Sequence, residues 1–222
     1  MGKGYAAVIF DLDGTLLDTS VGIMTATQLT LLHYGHEMPG QETLKGFIGP
    51  AVKEGFARHL LLDERDSASY ARTYCSYYAD VMAAGSVPYC GVASLLDTLR
   101  TDGLRLAVAT YKDEAQAAQL LDCLGLARYF DVIHGLDAAY VRTKADIIRL
   151  CLDELDISRA ANAVMVGDSA HDARGASELG MDFIGVTYGF GFRSAREAMA
   201  EGALSCADEP AEIAACLWHA SV

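Results

Sequence analysis

Residues 8–19 read VIFDLDGTLLDT: three apolar residues, an aspartate, a leucine, a second aspartate and then a glycine. The apolar start predicts a buried strand. Because residues two apart on an extended backbone point to the same side, Asp11 and Asp13 are expected to approach one small ligand together. Gly14 permits a sharp turn and lets backbone N–H groups come close to an anion. Two aspartates in a bare DxD pattern more often cap a loop than bind a ligand. The longer string FDLDGTLLDT is a much more specific signal of a ligand site.

Apolar runs of strand length alternate with segments of helical period along the rest of the chain. The predicted strands are AAVIF (6–10), LRLAVAT (104–110), FDVIHG (130–135), NAVMVG (162–167) and DFIGVTY (182–188). Apolar residues at helical spacing follow in 92–99 and 148–155. Strands separated by helices of this length imply right-handed crossovers and a mostly parallel sheet covered on both faces. We therefore predict a doubly wound α/β core, whose strand carboxyl ends are the expected ligand site.

The segment after the aspartate pair breaks this alternation. Residues 16–85 contain helix-like pieces such as VGIMTATQLTLLHYG and no convincing strand, and Pro88 and Gly91 mark a turn back to the sheet. We predict an α/β core domain formed by 1–15 and 86–222, with an inserted α-helical cap domain at 16–85.

Composition limits the classes of protein that this chain fits. Of the 222 residues, 52% are hydrophobic, and the formal net charge is −13. That charge repels nucleic acid and anionic lipid, and the chain has no apolar run of about eighteen residues that would span a membrane. The N-terminus lacks the long apolar run of a signal peptide, so a cytoplasmic location is expected. The six cysteines form no CxxC pair, which favours buried, reduced thiols.

A second acidic pair lies in GDSAHD, residues 167–172, where Asp168 follows the fourth predicted strand and Asp172 comes four residues later. Oxygen ligands at a sheet edge suit magnesium, and Asp168 is the better candidate. The alternative is that Asp168 caps the following helix and Asp172 is a first-turn acid. His171 is expected to be a surface or hydrogen-bonded residue, because a magnesium site prefers oxygen.

Two further residues complete a candidate phosphoryl site. Thr110 closes the second predicted strand and can donate a hydroxyl hydrogen bond to a phosphoryl oxygen, and Lys144 can neutralise charge on both nucleophile and phosphate. Taken singly, a threonine at a strand end is usually a cap and a lysine on a helix is usually solvated. Lys112 is a second basic candidate, ranked below Lys144.

These signals in this order resemble the haloacid dehalogenase superfamily of phosphatases. DLDGT looks like its first motif, Thr110 its second, Lys144 its third and GDSAHD its fourth, and the position of the insert matches the subgroup with a helical cap. The stretches FIGPAVKEGF (47–56) and VPYCGVASLLDTLR are closest to the phosphoglycolate-phosphatase-like branch, which includes 5'-nucleotidases. Two departures are Ala145, where many relatives have proline, and Tyr111. The resemblance implies a Rossmann-like core.

The resemblance also implies a covalent mechanism. Asp11 would attack phosphorus and form an aspartyl phosphate, while Asp13 would protonate the leaving group and then deprotonate water. Nearby positive charge is expected to favour the ionised form of Asp11, as a nucleophile requires. Mg²⁺ would be held by Asp11, Asp168 and the backbone carbonyl of Asp13, with Asp172 orienting the cluster directly or through water.

The resemblance further implies a small phosphorylated metabolite as substrate, with no nucleic acid or membrane partner. Gly14, Thr15, Thr110 and Lys144 would contact the phosphate. In the cap, Lys53 and Arg58 are candidate partners for a second anion on the substrate, although most cap cations are expected to be solvated. A phosphomutase of the same fold and a catalytically silent binding module remain as alternatives; Thr15 favours a phosphatase. The substrate's identity and the oligomeric state stay open.

Overall fold

The computed structural model describes residues 4–137 and 141–219. The chain forms two compact units: Met1–Leu17 with Pro88–Val222, and Asp18–Val87. These boundaries lie two residues from those expected for the core and cap domains. The first three residues, residues 138–140 and the last three residues of the predicted core domain lie outside the described residues. That the second unit serves as a cap stays a proposal.

The first unit is built on a six-stranded sheet with the order β5-β4-β1-β6-β7-β8, in which every neighbouring pair is parallel. The strands of the described chain are β1 (Ala7–Phe10), β2 (Leu17–Asp18), β3 (Val87–Pro88), β4 (Arg105–Asp113), β5 (Val132–Leu136), β6 (Ala163–Gly167), β7 (Asp182–Val186) and β8 (Ser205–Ala207). β2 and β3 form a separate two-stranded sheet where the chain passes between the units. The predicted doubly wound α/β core is confirmed.

Helices flank the sheet and make up most of the second unit. In the described ranges they are α1 (Ser20–His33), α2 (Gln41–Lys45), α3 (Val52–Leu60), α4 (Glu64–Val81), α5 (Val92–Thr101), α6 (Glu114–Cys123), α7 (Lys144–Glu154), α8 (Ala170–Glu178), α9 (Ala195–Ala200) and α10 (Ile213–His219), with short 3-10 turns at Ala127–Tyr129, Ala160–Asn162 and Pro210–Glu212. None of them, in this part of the chain, combines the length and apolar character needed to cross a bilayer.

β1 lies in the middle of the sheet. Its four residues are completely buried, because β4 and β6 pair with it on either side and helices cover the sheet. Continuous burial explains why the strand is apolar at every position rather than at alternate ones. Burial of this strand fixes the position of the aspartates that follow it.

The second unit has an aromatic core. Tyr70, Tyr74 and Tyr78 lie four residues apart and are buried on one face of α4, against which α1 and α3 pack. Phe56 of α3 contacts Tyr70 with a ring-centroid distance of 5.4 Å. The Gly22 N–H donates to Gly85 O, so the two ends of the unit lie side by side.

All six cysteines are free, as expected, but their predicted burial is wrong for most of them. Cys151 is buried, whereas Cys90 and Cys123 are exposed. Periodicity predicts which residues face a core, and these two lie outside the apolar stripes of their segments.

Candidate active site

Three neighbouring strands bring the sequence motifs together. Asp11 directly follows β1, Asp168 directly follows β6, and Thr110 lies near the end of β4. Because β1 lies between β4 and β6 and all three are parallel, their carboxyl ends meet at one edge. The Asp11 N–H donates to Val166 O, which continues the strand ladder into the site.

Lys144 is the first residue of α7 and is only 4% exposed. Its Nζ lies 2.8 Å from Asp11 Oδ1 and 2.8 Å from Asp172 Oδ1, and it donates to Ala109 O at 3.0 Å. A Cβ at Gly175 would lie 2.7 Å from Lys144 Cγ, so the lysine stem needs a glycine on α8. The ammonium therefore joins the nucleophile candidate to the fourth motif.

The start of α7 is fixed by local sequence. Thr143 is the N-cap, its hydroxyl accepts the Asp146 N–H, and the Asp146 carboxylate accepts the Thr143 N–H. This capping box satisfies two N–H groups that the helix leaves unpaired. Tyr111, a departure from the family pattern, accepts the backbone N–H of Lys144 at its hydroxyl. Together these contacts place Lys144 at the helix start.

Asp172 is completely buried and has two roles. Its Oδ2 accepts from Ser169 N and Ser169 Oγ, in the capping box that starts α8, and its Oδ1 faces Lys144. The part of the alternative that made Asp172 a first-turn acid is confirmed, and the same side chain also belongs to the charged cluster. Ser169 is the N-cap of α8, so the alternative that Asp168 caps this helix is wrong.

Asp168 is instead held by a segment that the sequence analysis did not single out. Its Oδ2 accepts hydrogen bonds from the backbone N–H groups of Phe190 and Gly191, at 2.7 and 3.0 Å. In the sequence this segment is marked by the glycine-rich string GFGF (189–192), directly after the last predicted strand.

The buried carboxylates form a cluster suited to a cation. One oxygen from each of Asp11, Asp168 and Asp172 lies within 4.8 Å of the others. With Asp13, the site holds four carboxyl groups against the ammonium groups of Lys112 and Lys144, so the fully ionised site would carry two unbalanced negative charges.

The pKa values reflect this crowding. Burial, with the neighbouring Asp172 carboxylate adding to it, raises the pKa of Asp168 to about 7. Burial also raises the pKa of Asp11, because Lys144 offsets only part of the desolvation and of the repulsion from nearby carboxylates. Burial disfavours the Lys144 ammonium, but Asp11 and Asp172 outweigh it and raise that pKa. As expected, the positive charge of Lys144 favours the ionised form of Asp11, but burial and the neighbouring carboxylates outweigh it. Added positive charge would lower the pKa values of both Asp11 and Asp168.

Asp13 points to a different partner from Asp11. Its Oδ1 lies 3.0 Å from Lys112 Nζ, and both side chains are largely buried. The Thr110 hydroxyl accepts the Lys112 N–H, which leaves the threonine's own proton for another acceptor. Sequence reasoning ranked Lys112 below Lys144, because nothing in the sequence shows which aspartate each lysine meets.

Gly14 and Thr15 make the turn beneath the site. Gly14 has φ +89°, and a Cβ there would lie 2.2 Å from Asp168 Oδ2, so the glycine is required by the close approach of Asp168. Its N–H donates to Leu17 O. The Thr15 hydroxyl oxygen is buried without a hydrogen-bond partner in the described residues. Phosphate contact by either residue stays a prediction.

The cap candidates Lys53 and Arg58 belong to the second unit. Lys53 Nζ lies 3.1 Å from Glu64 Oε1, and Arg58 Nη2 donates to Gly46 O at 3.3 Å. His171, expected at the surface or hydrogen-bonded, contacts the Tyr111 ring edge-on.

The family profile described as haloacid dehalogenase-like hydrolase matches residues 8–186, which include the strands and helices that carry all four motifs. This chain belongs to that family. Relatives support the match. Tyrosine-protein kinase PtkA of Mycobacterium tuberculosis is 36% identical over 86% of the chain, which spans 65% of that relative's length.

Two further comparisons cover most of both chains. Phosphoglycolate phosphatase of Neisseria meningitidis serogroup A is 35% identical over 83% of this chain and 81% of the relative. The crystal structure of a predicted phosphatase from Clostridium acetobutylicum superposes with a TM-score of 0.90 at 32% identity, covering 97% of this chain and 99% of that one. The predicted family resemblance is thereby confirmed.

Proposed function

We propose that this protein is a magnesium-dependent phosphatase that hydrolyses a small phosphate monoester through an aspartyl phosphate on Asp11. The observation that carries the proposal is the contact of Lys144 Nζ with both Asp11 and Asp172, at 2.8 Å each, in the acidic cluster. A buried aspartate oriented by a lysine fits a nucleophile, and the relatives' names support phosphoryl chemistry.

The donor set fits Mg²⁺. This ion prefers carboxylate and carbonyl oxygens, and the cluster offers the carboxyl groups of Asp11, Asp168 and Asp172. Full ionisation of these groups and of Asp13 would leave two negative charges for a cation to balance. We propose Asp11, Asp168 and the Asp13 carbonyl as ligands, with Asp172 orienting them. When bound, Mg²⁺ would neutralise charge on the phosphoryl oxygens and align the ester with Asp11.

The protein's own residues divide the reaction into two displacements. An Asp11 carboxylate oxygen attacks phosphorus; the new O–P bond forms as the ester O–P bond breaks, and Asp13 gives its proton to the leaving oxygen. Asp13 then takes a proton from water, which attacks the phosphorus and releases phosphate and Asp11. Lys144 orients Asp11, and the Thr110 hydroxyl donates to a phosphoryl oxygen.

The substrate class is argued from the net charge and from the similarity to a relative. The net charge of −13 disfavours nucleic acid, and the similarity to a phosphoglycolate phosphatase favours a small metabolite. We propose a phosphoglycolate-like ester or a nucleoside 5'-monophosphate. Closure of the second unit as a cap would exclude water from the reacting groups.

The test is a phosphate-release screen on chelator-treated protein, with phosphoglycolate, sugar phosphates and nucleoside monophosphates, before and after Mg²⁺ is added. We expect release only with Mg²⁺, and Asp11→Asn should lower it at least about a thousandfold without unfolding the protein. Asp122→Asn, an exposed aspartate, is the matched control.

Other results would redirect the assignment. Full activity in excess chelator, or Asp11→Asn within about tenfold of wild type, would reject the mechanism. Isomerised sugar phosphate without free phosphate would indicate a phosphomutase, and transfer from ATP to a protein tyrosine would match the name of the PtkA relative. No turnover of any substrate would favour a silent binding module.

A further inference from the structure

Residues 188–192, called here the glycine loop, follow β7 and read Tyr-Gly-Phe-Gly-Phe. The family match ends at residue 186, so this loop lies beyond it. None of the four motifs includes the loop, yet it borders the first and the fourth.

The glycine loop holds Asp168 at two points. The Phe190 and Gly191 N–H groups donate to Asp168 Oδ2 at 2.7 and 3.0 Å, and the Phe192 N–H donates to Asp168 O at 2.7 Å. Hydrogen bonds to an ionised carboxylate are short and directional, so a pair of them sets the orientation of the carboxylate plane. The other oxygen, Oδ1, accepts no hydrogen bond from the residues that the structure describes.

Only glycine fits at two positions of this loop. A Cβ at Gly189 would lie 2.2 Å from Gly14 O and 2.5 Å from Asp168 Oδ2, and a Cβ at Gly191 would lie 2.4 Å from Asp168 O. Two of these clashes are with backbone atoms, which cannot move aside as a flexible side chain can. At these two positions the backbone of the loop therefore packs directly against Gly14 and Asp168.

The loop is also tied to the first motif. The Tyr188 hydroxyl donates to Thr15 O at 2.8 Å, and its ring packs edge-on against Tyr89. A shift of the loop would therefore disturb the turn after Asp13 together with Asp168.

We infer that the glycine loop positions Asp168 for the cation. The Phe190 and Gly191 N–H groups donate to Oδ2 of Asp168 and so orient the carboxylate with Oδ1 towards the cluster. This inference rests on the proposed Mg²⁺ site. Partners that orient a metal ligand typically change metal affinity by about 10- to 100-fold. The same contacts in a purely structural role would leave the affinity for Mg²⁺ unchanged at equal stability.

The first test needs no mutation. In a titration of wild-type protein with Mg²⁺ followed by amide NMR, the Phe190 and Gly191 resonances should shift with the dissociation constant that calorimetry measures. Both N–H groups bond to the carboxylate that receives the ion, so they should report its charge. If these two amides do not move while calorimetry shows binding, the inference is wrong.

The second test uses variants. Gly191→Ala should weaken Mg²⁺ binding by about tenfold or more in calorimetry, whereas Gly40→Ala, at a glycine with open space and negative φ, should not. Tyr188→Phe removes only the hydroxyl and retains the ring, so it should weaken Mg²⁺ binding by a smaller factor. If Gly191→Ala does not fold, Tyr188→Phe is the variant that tests the role of the loop.

The outcomes separate this inference from the proposed function. If Gly191→Ala binds Mg²⁺ as tightly as wild type does, the role of the loop is overturned but the proposed function is not. If the alanine variant does not fold, the same result for Tyr188→Phe has the same meaning. Absence of Mg²⁺ binding by wild type would overturn both.

Discussion

Lys112 Nζ lies 3.0 Å from Asp13 Oδ1, just as Lys144 Nζ lies 2.8 Å from Asp11 Oδ1. Each aspartate of the first motif thus has its own lysine. Lys112 lies on β4 and Asp13 follows β1, so the pair depends on these two strands being neighbours. We expect Lys112 to hold the Asp13 carboxylate in the place where it exchanges a proton with the leaving group.

Lys112→Met should reduce turnover of alkyl phosphates by about a hundredfold, since protonation of a poor leaving group depends on a correctly placed acid. Turnover of p-nitrophenyl phosphate should fall much less, because p-nitrophenolate leaves without a proton. Steady-state kinetics on both esters measure the difference. Arg174→Met, which removes an exposed cation, is the control; equal losses on both esters would show that Lys112 acts on another step.

Lys144→Met should abolish turnover and lower stability by about 3 kcal/mol at pH 8, because the buried Asp11 and Asp172 carboxylates lose their cation. The loss of stability should be smaller at pH 5.5 than at pH 8, because burial raises the pKa of Asp11 and a protonated carboxyl carries no buried charge. Urea unfolding in chelator at both pH values measures it. Arg149→Met breaks an exposed pair on the same helix and should change stability little; the same small change for Lys144→Met would contradict the prediction.

Mg²⁺ affinity should fall as the pH drops below 7, because burial raises the pKa of Asp168 to about 7 and a protonated carboxyl is a poor ligand. One competing proton weakens binding about tenfold per pH unit below the pKa. The sign for stability follows: since the folded-state pKa is raised, ionising Asp168 disfavours the native state, so in chelator its contribution makes the protein more stable at pH 6 than at pH 8.

Calorimetric titration with Mg²⁺ at pH 6, 7 and 8, in buffers of different ionisation enthalpy, measures both affinity and proton release. Thermal unfolding of wild type and Asp168→Asn in chelator isolates the contribution of this carboxyl to stability. A dissociation constant that stays the same from pH 6 to pH 8 would refute the coupling.

Lys53→Ala and Arg58→Ala should each raise the KM for a substrate with a second anion, such as phosphoglycolate, by about fivefold and leave p-nitrophenyl phosphate unaffected. The Lys53 partner Glu64 is 89% exposed, so this ion pair is weak enough to exchange for a ligand. Arg72→Ala, at an exposed position of α4, is the control. If both esters are affected in equal proportion, or neither is, these residues do not select the substrate.

The sequence predicted the strands that matter most for the site. β1, β4 and β6 are buried on both faces. A strand buried in this way requires a continuous apolar run, which can be recognised in the sequence without a structure. β8 was missed because this strand at the sheet edge has only three residues, two half-buried and one buried, which is too short to show any period. Asp11 and Asp168 were equally recognisable, because each directly follows such a run, whereas Thr110 and Lys144 gained weight only from the order of the motifs.

The contacts of those residues could not be read in this way. Lys144 and Asp11 are 133 positions apart, and their meeting depends on strand order and on a glycine in α8 that admits the lysine stem. Lys112 and the glycine loop were likewise placed by packing between strands that are distant in the chain. Periodicity reports which face of an element is buried. Which side chains meet across that face, and how far burial raises the pKa of Asp168, follow from the three-dimensional arrangement, because both depend on atoms that the chain brings together only on folding.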